Sequence, residues 1–286
     1  MNISFDKVSV HGGHSGTYCG HAQDNLQQVV ARYAECGFAW VCLTEHMPPQ
    51  QDRLRPPEET AQDLSIAHLQ SRFADYMDQA RQLQQAYAGQ LEILVGFETE
   101  AYTGYQEEVQ QLIDQHQPDM LVGSVHHVRD ILFDGSAQHY AQAVDACGGI
   151  EALYCEYFDR QLELINHFEP AVIGHFDLIR IYDSDYPARW QVPEIRERCL
   201  RNLNRIKELG LILDLNVRAI KKGASEPYLS EPWMRYAIDN QLAMATGDDS
   251  HGVADVGTHL EQAVQVLLDR GGHTDWCKPM AGRHLT

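Results

Sequence analysis

Six short β-prone runs in this 286-residue chain each lead directly into histidines or acids. Lys7–Val10 opens onto H-G-G-H-S-G-T-Y-C-G-H, which places His11, His14 and His21 within eleven residues. Val41–Thr44 runs into Glu45-His46, Ile93–Phe97 into Glu98, and Met120–Val125 into His126-His127. Val172–Gly174 leads to His175, and Ala243–Gly247 to Asp248-Asp249-Ser250-His251. Packing gives no reason to set imidazoles and carboxylates after successive apolar strands. A parallel barrel does, because its strand ends converge at one mouth, where a polynuclear metal site can be assembled.

The rest of the pattern agrees with such a barrel. Strands are predicted at Lys7–Val10, Ala39–Thr44, Leu91–Phe97, Met120–Val125, Ala171–Gly174, Leu211–Leu215 and Ala243–Thr246. Helical periodicity falls between them, at 22–36, 71–88, 106–115, 137–147, 150–168, 194–209, 231–240 and 258–270. Gly37 and Gly89 stand where helix C-caps belong, and Gly148-Gly149 separates two consecutive helices. Met47–Pro57, rich in proline and glutamine, reads as a loop long enough to cover a site. Seven βα units with no linker or repeat imply one α/β domain over residues 1–286, closed as a distorted (β/α)7 barrel.

Composition narrows the partners. A formal net charge of -19 opposes general nucleic-acid binding, which needs clustered Lys and Arg, and suits an enzyme for small molecules. Seven cysteines without a C-x-x-C pair read as reduced thiols. The first residues lack a secretory pattern, and no run of about 18 apolar residues could span a membrane. A cytoplasmic location is the expectation.

Neutral imidazole suits first-row metals, and carboxylates can bridge two ions. His68, His116, His139, His167, His259, His273 and His284 fall in helical or terminal patterns and are set aside. The histidines at strand ends carry a resemblance. They resemble the PHP (polymerase and histidinol phosphatase) superfamily, and within it the histidinol-phosphatase branch. That family opens with H-x-H and a third His, then E-H, G-x-E, S-V-H, G-H-F/P-D and D-x-H. Here these stand as His11/His14, His21, Glu45-His46, Gly96-Phe97-Glu98, Ser124-Val125-His126, Gly174-His175-Phe176-Asp177 and Asp249-Ser250-His251. The segment 215–230, ending in Glu226-Pro227-Tyr228-Leu229-Ser230, is similar to the branch motif E-x-Y-x-S.

The resemblance implies three divalent ions, Zn, Mn or Fe. His11, His14, Glu98 and Asp249 would hold one, Glu98, His126 and His175 a second, and His21, His46 and His251 a third. Glu98 would bridge the first two, His126 rather than His127 would be the ligand, and Glu98, Asp249 and His251 would carry the catalytic chemistry. One departure stands out. The chain has H-G-G-H where the family has H-x-H, and an extra residue breaks the alternation that puts positions two apart on one face. Either a glycine bulge re-aims His11 at the ion, which is the expectation, or Gly12 has displaced the family's histidine.

Clustered cations suit attack on phosphorus, since they bind phosphate oxygens and lower the pKa of a shared water. Guanidinium forks suit the phosphate itself. Arg180, just past His175, is the first candidate and Arg129, past His126, the second; Lys222 and Glu226 are pocket candidates, with Glu226 facing an amine or imidazole. Cys19 reads as a buried bystander, because hydrolysis of this kind needs no thiol. The resemblance implies hydrolysis of L-histidinol phosphate. A phosphodiesterase or nuclease with the same metals is the alternative, and a non-catalytic metal-binding remnant a third reading.

Overall fold

Parallel strands make the frame of the molecule in the computed structural model, which describes residues 4–282; residues 1–3 and 283–286, His284 among them, lie outside the described residues. The chain lays down β1 (Val8–Ser9), β2 (Trp40–His46), β3 (Glu92–Glu98) and β4 (Met120–Gly123). A short antiparallel hairpin follows, β5 (His127–Val128) with β6 (Ile131–Leu132). Then come β7 (Val172–Ile173), β8 (Ile212–Asn216) and β9 (Met244–Gly247). The main sheet runs β1-β2-β3-β4-β7-β8-β9 with every pair parallel. Its two edges meet: Val10 N donates to Thr246 O at 2.9 Å, and Thr246 Oγ1 donates to Val8 O at 2.7 Å. The result is the nearly closed, seven-stranded (β/α) barrel expected, in one domain.

Alternation along the strands sorts the side chains. Val8, Val10, Trp40, Cys42, Leu94, Met120, Val122, Ile212 and Ala245 form one apolar cluster. They share strand parity, which assigns them to the barrel interior. Continuing the same parity towards the C-terminal ends leads to His14, His46, Glu98, His126, Asp214 and Asp249. Apolar packing therefore fills one end of the interior and ionisable groups the other. The larger cluster lies on the opposite parity, where Val41, Leu43, Ile93, Val95 and Leu213 meet the surrounding helices. Burial on both faces is why the strands read as continuous apolar runs.

Capping residues explain where helices start. The helix Leu26–Glu35 begins four residues later than the pattern suggested, because Asn25 and Gln28 close a reciprocal capping box. The helix Ile66–Ala86 begins five residues earlier than predicted, with Ser65 accepting from His68 N. Helices Tyr105–His116, Ala137–Cys147, Ile150–Phe168 and Pro193–Leu209 fall within one residue of expectation. The last two, Trp233–Asp239 and Leu260–Asp269, are a little shorter. Periodicity gave no sign of the hairpin β5–β6, the turn Leu178–Arg180, or the short helices Pro57–Ala61, Tyr186–Arg189 and Arg218–Lys221. Each is too short to show a period. Among the described residues no helix is long and apolar enough to cross a membrane.

Candidate metal centre

The doubled glycine decides how the first histidines reach the mouth. Beyond β1, His11 O accepts from Asp249 N, while Gly12 exchanges bonds with Thr44, its N donating to Thr44 Oγ1 at 3.0 Å and its O accepting from Thr44 N at 3.0 Å. Gly13 adopts φ +81° and donates to Ser250 Oγ. The chain thus bulges between the ends of β2 and β9. His11 and His14 enter the same centre despite their opposite parity: His11 Nε2 lies 3.3 Å from Glu98 Oε2, and His14 Nε2 lies 3.5 Å from Asp249 Oδ1. This is the re-aimed geometry expected of a bulge. A side chain at Gly12 has no room, since a Cβ there would stand 2.4 Å from Asp248 Oδ1 and 2.6 Å from the Tyr33 hydroxyl.

Three groups of donors meet at the mouth of the barrel. In the first, His11, His14 and Asp249 converge beside Glu98. In the second, His126 Nε2 and His175 Nε2 stand 3.2 Å apart, at 3.4 and 3.0 Å from Glu98 Oε1. In the third, His21 Nε2 faces His251 Nε2 at 3.0 Å, with His46 and Cys19 completing the set. Glu98 joins them: one oxygen meets the second group, while the other meets His11 and, at 3.0 Å, His46 Nδ1. Every residue expected as a ligand is therefore in the centre. His127 is turned aside, its Nδ1 donating to Glu100 at 3.0 Å.

Acids behind the rings orient them. Asp214, Glu45 and Glu100 accept from Nδ1 of His11, His14 and His126 at 2.9, 3.1 and 3.0 Å, which turns the three Nε2 atoms inward. The Asp249 carbonyl does the same for His251 at 2.9 Å. Such carboxylate–histidine pairs fix the tautomer that a metal requires. Sequence reading missed Asp214 and Glu100 as members of the site. Asp214 left a signal, an acid inside the apolar strand Ile212–Asn216, and Glu100 lies two residues beyond Glu98.

The donors fit cations better than one another. His11 Nε2, His14 Nε2 and both ring nitrogens of His46 are buried without an aligned hydrogen-bond partner. Such an orphan costs about 1–3 kcal/mol unless something fills its place. Burial pushes the Glu98 carboxyl up, but His11, His126 and His46 hold it well below the usual carboxylate range. Burial likewise opposes ionisation of Asp249, and His11, His251 and Arg218 outweigh it. His14 and His251 are pushed well below the ordinary imidazole value by burial and by neighbouring rings, as neutral ligands should be. His175 and Asp249 also hold positive φ, at 23° and 45°, a strain of about 1–3 kcal/mol each that marks functional positions.

The centre opens into a cavity of about 260 Å³ whose rim carries Asp134, Arg218, Lys222 and Tyr228. Of the four expected substrate residues, Lys222 alone lines it. Arg180 is buried elsewhere, with its guanidinium 4.8 Å from the centres of both the Tyr186 and Tyr228 rings, donating to Pro227 O at 2.8 Å and pairing with Asp177 at 3.3 Å. Glu226 accepts from the Tyr186 hydroxyl at 2.8 Å and pairs with Arg270 at 3.4 Å. Arg129 lies on the surface, paired with Glu156. In this structure the charged groups of these three meet other protein groups and do not line the cavity. The cation that was missed, Arg218, stands 3.2 Å from Asp249 O and 3.3 Å from Asp255.

Comparison with known proteins places the chain in a family. The sequence profile of the PHP domain matches residues 12–218. The chain is 32% identical over 274 residues to a protein of Schizosaccharomyces pombe described as a probable histidinol-phosphatase, spanning 94% of this chain and 88% of that one. It is 27% identical over 295 residues to the histidinol-phosphatase of Saccharomyces cerevisiae, spanning 91% and 88%. The crystal structure of histidinol phosphate phosphatase from Lactococcus lactis, complexed with zinc, L-histidinol and phosphate, superposes with a TM-score of 0.70 at 21% identity, covering 98% of each chain. Profile, sequence relatives and barrel agree, and the chain belongs to the PHP domain family.

Proposed function

We propose that this chain is a metal-dependent phosphomonoesterase that hydrolyses L-histidinol phosphate to L-histidinol and phosphate. The observation that carries the reading is Glu98, one buried carboxylate whose two oxygens face separate groups of inward-turned imidazoles at the floor of a cavity. The names of relatives aligned over nine-tenths of the chain support the substrate. Three divalent ions fit the three donor groups, held by His11, His14, Glu98 and Asp249, by Glu98, His126 and His175, and by His21, His46 and His251. Bound there, they would supply Lewis acidity towards phosphate oxygens and a lowered pKa for bound water.

The chain's own side chains supply the rest. Arg218 and Lys222 bring positive charge to the rim, where a phosphate would enter. Asp134 faces the same cavity with Oδ1 buried and unpartnered, a suitable receiver for the cationic amine or imidazole of the alcohol. The confined volume and the net charge of -19 suit a small zwitterion better than a polynucleotide. Seven unpaired cysteines suit a cytoplasmic enzyme.

The test is a hydrolysis screen of histidinol phosphate, nucleoside monophosphates and a dinucleotide. Histidinol phosphate should be turned over fastest, and Lys222→Ala should lower kcat/KM by about tenfold or more, the worth of a charge-assisted hydrogen bond. Faster cleavage of the dinucleotide would move the chain to the phosphodiesterase reading.

A further inference from the structure

We propose that Cys19 is a fourth protein ligand of the third metal position, which makes that position a sulfur-containing site unlike the other two. The inference rests on the metal reading above but not on the identity of the substrate. Cys19 is buried, and its Sγ lies 3.3 and 3.4 Å from the two ring nitrogens of His21. The ligand atoms of Cys19, His21, His46 and His251 all lie within 4.8 Å of one another. Two independent features point into the same space. His21 Nε2 and His251 Nε2 confront each other at 3.0 Å, and His46 Nε2, on the side of the ring away from the Nδ1 that faces Glu98, is buried without a hydrogen-bond partner.

The spacing suits a tetrahedron. Bonds of about 2.0 Å to nitrogen and about 2.3 Å to sulfur give donor-to-donor edges of about 3.3–3.6 Å. The observed separation of 3.4 Å between Cys19 Sγ and His21 Nε2 falls in that range, and the 3.0 Å between His21 and His251 needs only a small opening. The local fold holds the thiol in place. Cys19 N donates to Ser15 O at 2.8 Å, and Ala22 N donates back to Cys19 O, which closes the turn between Cys19 and His21.

Ligand chemistry then separates the sites. The first two positions offer imidazole and carboxylate, which accept manganese, iron or zinc, whereas three imidazoles and a thiolate favour zinc or cobalt over manganese. The thiolate also adds an anionic donor to three neutral imidazoles, so the third ion would be held more firmly than the imidazoles alone would hold it.

Cobalt(II) substitution reads the thiolate directly. The stripped full-length protein refilled with cobalt should develop a near-ultraviolet sulfur-to-cobalt charge-transfer band, saturating at one equivalent. Cys19→Ser should abolish that band. Dialysis of the zinc protein against excess manganese should leave one zinc equivalent in the wild type and none in Cys19→Ser. Cys19→Asp, which restores an anionic ligand, should recover metal content without the band. Cobalt bound to the wild type with no such band, or a band unchanged in Cys19→Ser, would overturn the thiolate ligand while leaving phosphatase activity untouched as a separate question. Failure to bind any divalent ion would overturn this proposal and the metal reading together, and the wild-type spectrum decides even if a variant does not fold.

Discussion

Glu98 carries more of the centre than any other side chain, because its oxygens stand within 3.0–3.4 Å of His11, His46, His126 and His175. Glu98→Gln keeps the shape but removes the charge that would bridge two ions. It should lower metal content and kcat together, by more than the about 10–100-fold typical of losing an outer-shell partner. Near-normal turnover with full metal content, measured by elemental analysis beside the assay, would rule out its bridging role. Legibility at this scale follows burial and reach. The ligands could be named from sequence because most stand at or just past strand ends and all match the family's motifs, His21 by its motif alone. The surroundings of Arg180 could not be read in the same way, because the three-residue turn Leu178–Arg180 carries it off the strand and sets its guanidinium against two tyrosines. Cys19 was set aside on chemical grounds, since the reaction needs no thiol, yet the structure places its sulfur against His21.

At the scale of elements, the segment after β1 shows how one inserted residue is absorbed. Parity would send position 12 into the barrel, but here it is turned outward against Asp248 and Tyr33, which are joined by a 2.7 Å hydrogen bond. The chain instead arches over Gly12 and Gly13 and delivers His11 from the other parity. Gly12→Ala should therefore act as an overpacking change costing about 1–3 kcal/mol, with metal lost from the first group. Denaturant unfolding of the metal-loaded variant measures the first effect and metal analysis the second. A variant as stable as the wild type with full metal would show that the bulge tolerates a side chain. The insertion itself was visible as H-G-G-H, while its outcome depended on Asp248 and Tyr33, which lie far away in sequence. Helix ends were similarly legible only where a capping residue was weighed: Asn25 and Ser65 moved two starts that periodicity alone had misplaced.

Across the whole molecule, the barrel gathers its ligands from β-strand ends spread between His11 and His251, so ions bound at the mouth tie together almost the full length of the chain. The fold class was legible because seven alternating units have few ways to close, and near-closure of β1 on β9 brings the first and last motifs together. The unfolded chain cannot reproduce these donor groups, so metal binding adds to folding stability. An ion present at about 100 times its dissociation constant contributes about 2.7 kcal/mol. A domain of roughly this size shifts by about 2–4 °C per kcal/mol, so removing one such ion should lower the Tm by about 5–10 °C. Protons compete with ions for the imidazoles: below the histidine range the rings are charged, metal affinity falls, and the gap between loaded and stripped protein should close. Thermal unfolding with and without chelator, at neutral and at mildly acidic pH, checks both statements. A Tm unaffected by chelator at neutral pH would mean that the ions do not bind the folded chain tightly enough to tie its ends together.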